Sequence, residues 1–424
     1  MLFRSGAGAA SSPRRGFTRR RALTAGLGLL GGLLAARIGL PWYWRPGPRR
    51  PLGDEAAAFV ARCFADVDRA ALWDTHAHVV GLGTGGTGCA LNPEFLSHAH
   101  PFKRLQFELY LDAAGIEDLE TADAQFLALL LELHREANPE GTLVALAFDR
   151  FVDEQGVERP ERSNFFTPNE YVLDLAARHP HLRACASVHP YRKDAVARLD
   201  AAAERGAVAV KWLPNAMGID PASPRCDVFY RRLAELDLPL ITHAGKEQAV
   251  DAAELQELGN PLRVRRALDS GVRVVLAHCG TLGDGLDLDV TDDGERRVME
   301  NVDLFLRLMG EGQWEGRLFG EISALTFINR TGRPLREILG AVELHPRLVN
   351  GSDWPLPGVD PVLSTRLLQW RGYLDADDRR LANEVYAHNP LLFDYVVKRR
   401  VKVDGASGPV RFPPSVFETA HLFG

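Results

Sequence analysis

Cysteine is scarce and unpatterned in this chain. Its five cysteines, at positions 63, 89, 185, 226 and 279, show no CxxC spacing, which excludes a thiolate zinc site and a disulfide framework. They read as small core residues. A Walker-type GxxxxGK[ST] pattern is also missing, so the glycine-rich stretch GLGTGGTG at 81–88 is not a phosphate loop. Basic charge is missing from the body of the chain. Ten of the 50 Lys+Arg are arginines within residues 1–50, which carry no lysine and no acid, and the remainder holds 40 basic against 56 acidic residues, a net of −16. A surface that acidic has no footprint for nucleic acid.

The composition is that of a folded protein with a large core, 46% hydrophobic and 25% charged over 424 residues. Arg19-Arg20-Arg21 stands ahead of the uncharged, Leu/Gly/Ala-rich run Ala22–Ala36. That order, basic and then about 15 apolar residues, suits a signal better than a spanning helix of about 20, and it resembles a twin-arginine export signal. Trp42, Tyr43 and Trp44 would suit a membrane interface if the segment stays as an anchor. We therefore expect residues 1–50 to form a signal or anchor with its linker, and 51–424 to form the enzyme. Export to the periplasm, free or membrane-anchored, follows, with the twin-arginine machinery as a partner.

Eight short apolar runs recur in the body, at Ala71–His78, Thr142–Phe151, Leu182–His189, Ala207–Leu213, Leu238–His243, Val272–His278, Leu318–Ile322 and Arg347–Ser352. Helical patterns lie between them, at Ala195–Arg205, Val228–Leu236 and Pro261–Ser270. Gly206 and Gly271 stand where a helix would close with a left-handed residue. Continuous apolar strands alternating with helices suggest a parallel sheet covered on both faces, and eight such units predict an α/β fold, a (β/α)8 TIM barrel. The stretches 81–101 and 281–297 read as loop insertions after strands 1 and 6, where barrel enzymes carry substrate loops.

Polar residues cluster at the predicted strand ends. Asp74-Thr75-His76-Ala77-His78 puts two imidazoles on one strand face, because side chains alternate. Thr242-His243-Ala244-Gly245, Ala277-His278-Cys279-Gly280 and Gly351-Ser352-Asp353-Trp354-Pro355 end the fifth, sixth and eighth strands. The C-terminal ends of barrel strands converge on one site, so these elements form one constellation.

With Val210-Lys211-Trp212 and the late Ala387-His388-Asn389-Pro390, the chain from about Leu72 to Tyr395 resembles the amidohydrolase superfamily, in the group that includes aminocarboxymuconate semialdehyde decarboxylase. The resemblance implies one divalent metal, zinc or manganese, on His76, His78, His243 and Asp353. It implies catalytic roles for Asp353 as proton acceptor, for His278 as acid/base or polarising group, and for Lys211. Lys211 is expected to bind a substrate carboxylate, or to build a second metal site with His243 and His278. The expected activity is hydrolysis of an amide, ester or lactone of a small molecule by metal-activated water. Non-oxidative decarboxylation of a small carboxylic acid is the alternative, followed by a non-enzymatic exported metal-binding protein; a homo-oligomer is compatible with all three. Glu321 is a weaker candidate for substrate contact, and His189 with Arg192 for a cation facing an anionic substrate. His98, His100, His134, His179, His181, His345 and His388 read as surface histidines.

Overall fold

The computed structural model describes residues 49–423 except 251, 253, 293, 294 and 361. The expected export segment before residue 49 lies outside the described residues. Among the described residues, no helix is long and apolar enough to cross a membrane.

Eight parallel strands form one sheet in chain order: β1 (Trp73–His78), β2 (Thr142–Leu146), β3 (Leu182–Ala186), β4 (Ala207–Trp212), β5 (Leu240–His243), β6 (Val274–Ala277), β7 (Leu318–Glu321) and β8 (Leu348–Val349). The sheet curls round to bring its first and last strands together. Thr75 N donates to Asn350 O (3.0 Å), Asp353 N to His76 O (2.7 Å) and His78 N to Trp354 O (3.0 Å), and Ala77 bridges Trp354 in parallel. The (β/α)8 barrel is thereby joined along a β1/β8 seam. Gly351 is required there, because a Cβ at that position would stand 2.6 Å from both Glu321 Oε1 and the His76 Cβ.

Side-chain parity explains which residues reach the mouth. Trp73, Val144, Leu146, Cys185, Ala209, Ile241, Val275, Phe319 and Val349 pack as one cluster inside the barrel, plugged from below by Leu422 and Phe423. Two residues further along the same faces of β4, β5 and β7 come Lys211, His243 and Glu321. Strand β1 would present Thr75 and Ala77 by the same count. Its register shifts between Asp74 and Ala77, and this irregularity turns the alternation so that His76 and His78 face inward while Ala77 joins the outer core.

The predicted strands overrun their ladders. Residues 147–149, 151 and 187–189 are buried, yet they lie past the strand ends, since burial in a loop reads like burial in a strand. Helices occupy Ala195–Glu204 and Asp227–Glu235, and Pro261–Ser270 divides into a 3-10 turn and the helix Arg265–Asp269. Gly206 and Gly271 take left-handed φ of 85° and 88°.

The two stretches read as loop insertions carry structure of their own. The first contains Ala90–Leu91, paired with Phe165–Phe166. The buried Asp123 carboxylate accepts from Leu82 N, Gly83 N, Thr84 Oγ1 and Thr87 Oγ1, which ties the glycine-rich segment down onto the helix Ala122–Ala137. The second is an antiparallel hairpin, Asp284–Asp292 against Glu295–Glu300. Its Leu286/Leu288/Val290 alternate with Asp287/Asp289, a period-2 strand pattern. Asp287 pairs with Arg307 at 2.9 Å and Asp289 with Arg265 at 2.6 Å.

Candidate metal centre

One orifice of the barrel collects the polar residues. His76, His278 and Asp353 each offer a ligand atom within 4.8 Å of the others, all buried. His78 Nε2 lies 3.3 Å from His76 Nε2, and both are 3.4 Å from Asp353 Oδ1. His278 Nε2 stands 3.9 Å from Asp353 Oδ2. His243 flanks the group, its ring 5.1 Å edge-on from that of His278. Lys211, 1% exposed, brings Nζ to 3.2 Å from His76 Nε2. His76, His78, His243, His278, Lys211 and Asp353 thus meet at one place, with His278 forming a buried trio with His76 and Asp353 and His78 standing at least as close to both.

The surroundings aim these rings. The Glu321 carboxylate accepts from the Nδ1 of His76 at 3.0 Å and is itself held by Ser323 N and Ser323 Oγ. His278 Nδ1 lies 2.7 Å from Ser323 Oγ. His243 Nδ1 is 3.4 Å from Glu247 Oε2. An acceptor on Nδ1 fixes the proton there and leaves the Nε2 lone pair free. The consequence shows at His243, whose buried Nε2 has no hydrogen-bond partner among the described residues. Three Nε2 atoms with their Nδ1 sides occupied, beside a carboxylate, are the donor set of a divalent metal, so the residues present fit the implied ion.

The electrostatics agree. Burial pushes the imidazoles of His243 and His278 well below the ordinary value, and that of His78 down to about 4, keeping them neutral as ligands must be. Burial alone would raise Asp353, but His76, His278 and His78 outweigh it and hold the carboxyl well below its usual range. The same contest at Glu321 is won by His76 and Ser323, and its carboxyl is also lowered. Burial lowers Lys211, against the pull of Asp353 and Glu321. Strained backbone marks the site as well: His278, Cys279 and Asp353 have φ of 56°, 48° and 62° without being glycine.

Several expectations change. Glu321, expected to contact substrate, instead holds His76 and Ser323. His189 spends Nε2 on Met217 O at 2.9 Å. Arg192 is bound to Asp149 and Glu158, so neither is a free group for substrate. His345 is buried, its Nε2 3.1 Å from Leu339 O, where a surface position was expected. Glu247 and Arg330 went unread. Glu247 follows His243 by four residues in a loop, and Arg330 sits in the segment after β7, neither with any periodic pattern to mark it.

No curated protein matches the chain. Among solved structures, it is similar to an uncharacterised TIM-barrel protein from Bordetella bronchiseptica, 14% identical over 75% of this chain and 97% of that one, TM-score 0.45. A probable 2-pyrone-4,6-dicarboxylic acid hydrolase from Acinetobacter baumannii, with citric acid bound, is 16% identical over 67% and 84%, TM-score 0.38. A dihydroxybenzoic acid decarboxylase from Polaromonas sp. JS666, with manganese and 2-nitroresorcinol bound, is 13% identical over 76% and 96%, TM-score 0.39. These scores are too low to argue from, and the family model for amidohydrolases is the informative match. It spans residues 73–391, from the first residue of β1 to beyond the last metal-site residue, and the chain belongs to the amidohydrolase family.

Proposed function

We propose that the protein is a metal-dependent hydrolase that opens an amide, ester or lactone carbonyl of a small molecule. The observation that carries this reading is the trio His76, His278 and Asp353, with both Nδ1 atoms occupied by acceptors and the carboxylate kept ionised. His76, His78, His278 and Asp353, with the Nε2 of His243 that is unpartnered among the described residues, would hold the ion; zinc suits such a nitrogen-rich set, and manganese is the second choice. When bound, a divalent ion supplies the Lewis acidity that acidifies water and polarises a carbonyl.

The chain's own groups do the rest. Asp353, ionised at neutral pH, accepts the proton of the attacking water and returns it to the leaving group. His278, whose Nδ1 faces Ser323 Oγ, offers Nε2 to the ion and not a donor to the substrate. Lys211 contacts the same space from β4, where as an ammonium it would meet a substrate oxygen, and only as a carboxylated lysine would it help His243 and His278 hold a second ion.

A decarboxylase reading is favoured by one observation, the buried cation Lys211 beside the ligands, which would seat the carboxylate of an acid substrate. The test is a panel of lactones, amides and aromatic carboxylic acids assayed with protein of measured metal content. Hydrolysis without CO2 supports the proposal; release of CO2 without net uptake of water replaces it with decarboxylation.

A further inference from the structure

The late Ala387-His388-Asn389-Pro390 segment has no part in the site described so far, yet it opens a helix that reaches it. Asn389 caps the helix Pro390–Arg400, its Oδ1 accepting from Leu392 N at 3.0 Å. The helix packs in the outer core, with Leu391 to Lys398 buried without a break. A helix buried on every face has no reason from packing to carry charge. It nonetheless carries Asp394 and Lys398, 2% and 0% exposed, one turn apart and paired at 2.5 Å.

The pair is aimed at the β1/β8 seam, where Lys398 Nζ donates to Gly351 O at 2.5 Å. On either side the backbone is tied to β1: Asn350 O accepts from Thr75 N, Asp353 N donates to His76 O and Trp354 O accepts from His78 N. Ser352 N donates to the Asp74 carboxylate at 2.7 Å. The Gly351–Ser352 peptide is therefore gripped at both ends by charge, a carboxylate on its N–H and an ammonium on its C=O, and charge-assisted bonds are the strong ones. The grip falls where the chain has no slack. A Cβ on Gly351 would meet Glu321 Oε1 and His76 Cβ, and two residues on, Asp353 holds a left-handed φ of 62°. A residue other than glycine stays in that conformation only where its surroundings over-determine it.

Stability is a poor account of such a pair, because a buried ion pair exchanged for apolar groups of similar volume is often neutral or stabilising. We propose that Lys398, balanced by Asp394, is a positioning residue: it fixes the Gly351–Ser352 peptide and so sets the Asp353 carboxylate against His76 and His78. This role rests on the metal-dependent reading of the site, and through it the late sequence motif acquires a task, to deliver a cation to the back of the seam.

The experiment loads zinc, and separately cobalt(II), into the full-length protein and measures affinity by competition with a chelator, the cobalt d–d absorption, and Tm. The double variant Lys398→Met/Asp394→Leu exchanges the pair for apolar side chains and should keep or raise Tm. Its metal affinity should fall by about 10-fold or more, as when a group that orients a ligand is removed, and its cobalt band, which follows ligand geometry, should change. Asp394→Asn leaves the lysine on Gly351 O but strips it of its anion. Its Tm should drop while its metal affinity stays within about 3-fold of wild type. A double variant with wild-type affinity and cobalt spectrum overturns the proposal. So does one that unfolds, because the pair would then be holding the fold together, and so does Asp394→Asn if it loses as much affinity as the double variant. In those three cases the wild type still binds its ion and the metal-dependent reading stands; a wild type that takes up neither zinc nor cobalt overturns both.

Discussion

Two buried arginines stand at the same end of the barrel, one past β3 and one past β7, and they are used in opposite ways. Arg192 donates Nε and Nη2 to the two oxygens of Asp149 at 2.7 and 2.6 Å and also reaches Glu158. Asp149 in turn accepts from the backbone of Arg150 and His189. This arginine is a strut that joins the β2 and β3 loops. Arg330 makes no ion pair with a described residue, and the acids whose charge reaches it, Asp353, Glu247 and Glu321, belong to the metal centre. Burial alone does not tell a structural charge from a functional one; the state of its partners does.

The largest effect that would sharpen this contrast is expected at the functional end. Asp353→Asn keeps an oxygen for the metal but cannot accept a proton at neutral pH, so turnover should fall by about 10²–10⁴-fold with a smaller loss of metal and little change in unfolding midpoint. Steady-state rates on the substrate found by the panel, corrected for occupancy, give the answer; near wild-type turnover removes Asp353 as the base.

At the structural end, Arg192→Met leaves Asp149 buried with its charge uncompensated, which should cost about 3 kcal/mol or more of stability. Urea denaturation of this variant beside Arg330→Met breaks the comparison if the two lose equal stability. Next in size is Glu321→Gln, which replaces the anionic acceptor of His76 with a neutral amide but leaves the ring in place. Metal affinity should drop by about 10–100-fold, measured by competition with a chelator, and an unchanged affinity would return Glu321 to a packing role. The smallest effect is expected at Asp123→Asn, far from any ligand atom. Four donors of the 82–87 segment lose their anion, and about 1–2 kcal/mol should go with it, seen as faster hydrogen exchange at Leu82 and Gly83. Unchanged exchange there would show that the segment holds itself.

The sequence pattern reached most of the centre because parallel strands bring their ends together. His76, His78, His243, His278, Asp353 and Lys211 could be picked out far apart in the chain, each after a β-rich apolar run, and the fold assembles them. Strand lengths were less legible. Phe148 and Phe151 are as buried as any strand residue, so the apolar run past Leu146 carries no signal that the ladder has ended. The hairpin at Asp284–Glu300 was hidden by its acids, which resemble a solvated loop until Arg307 and Arg265 are found against them. Arg330 was invisible for a different reason. Its segment turns sharply after β7, with Ala324 at a φ of 57°, and no local pattern in Ala324–Thr331 tells where the guanidinium will lie. Arg192, beside a histidine at a strand end, had the better local credentials and the wrong surroundings.

The central claim is that the β1/β8 seam and the end of β6 jointly hold a metal. Elemental analysis of protein purified without added metal, wild type beside His76→Ala/Asp353→Ala, tests it most directly. About one divalent ion per chain in the wild type and almost none in the folded double variant is the expected result, since the remaining histidines form an incomplete shell. A double variant that keeps the wild-type metal content would contradict the account.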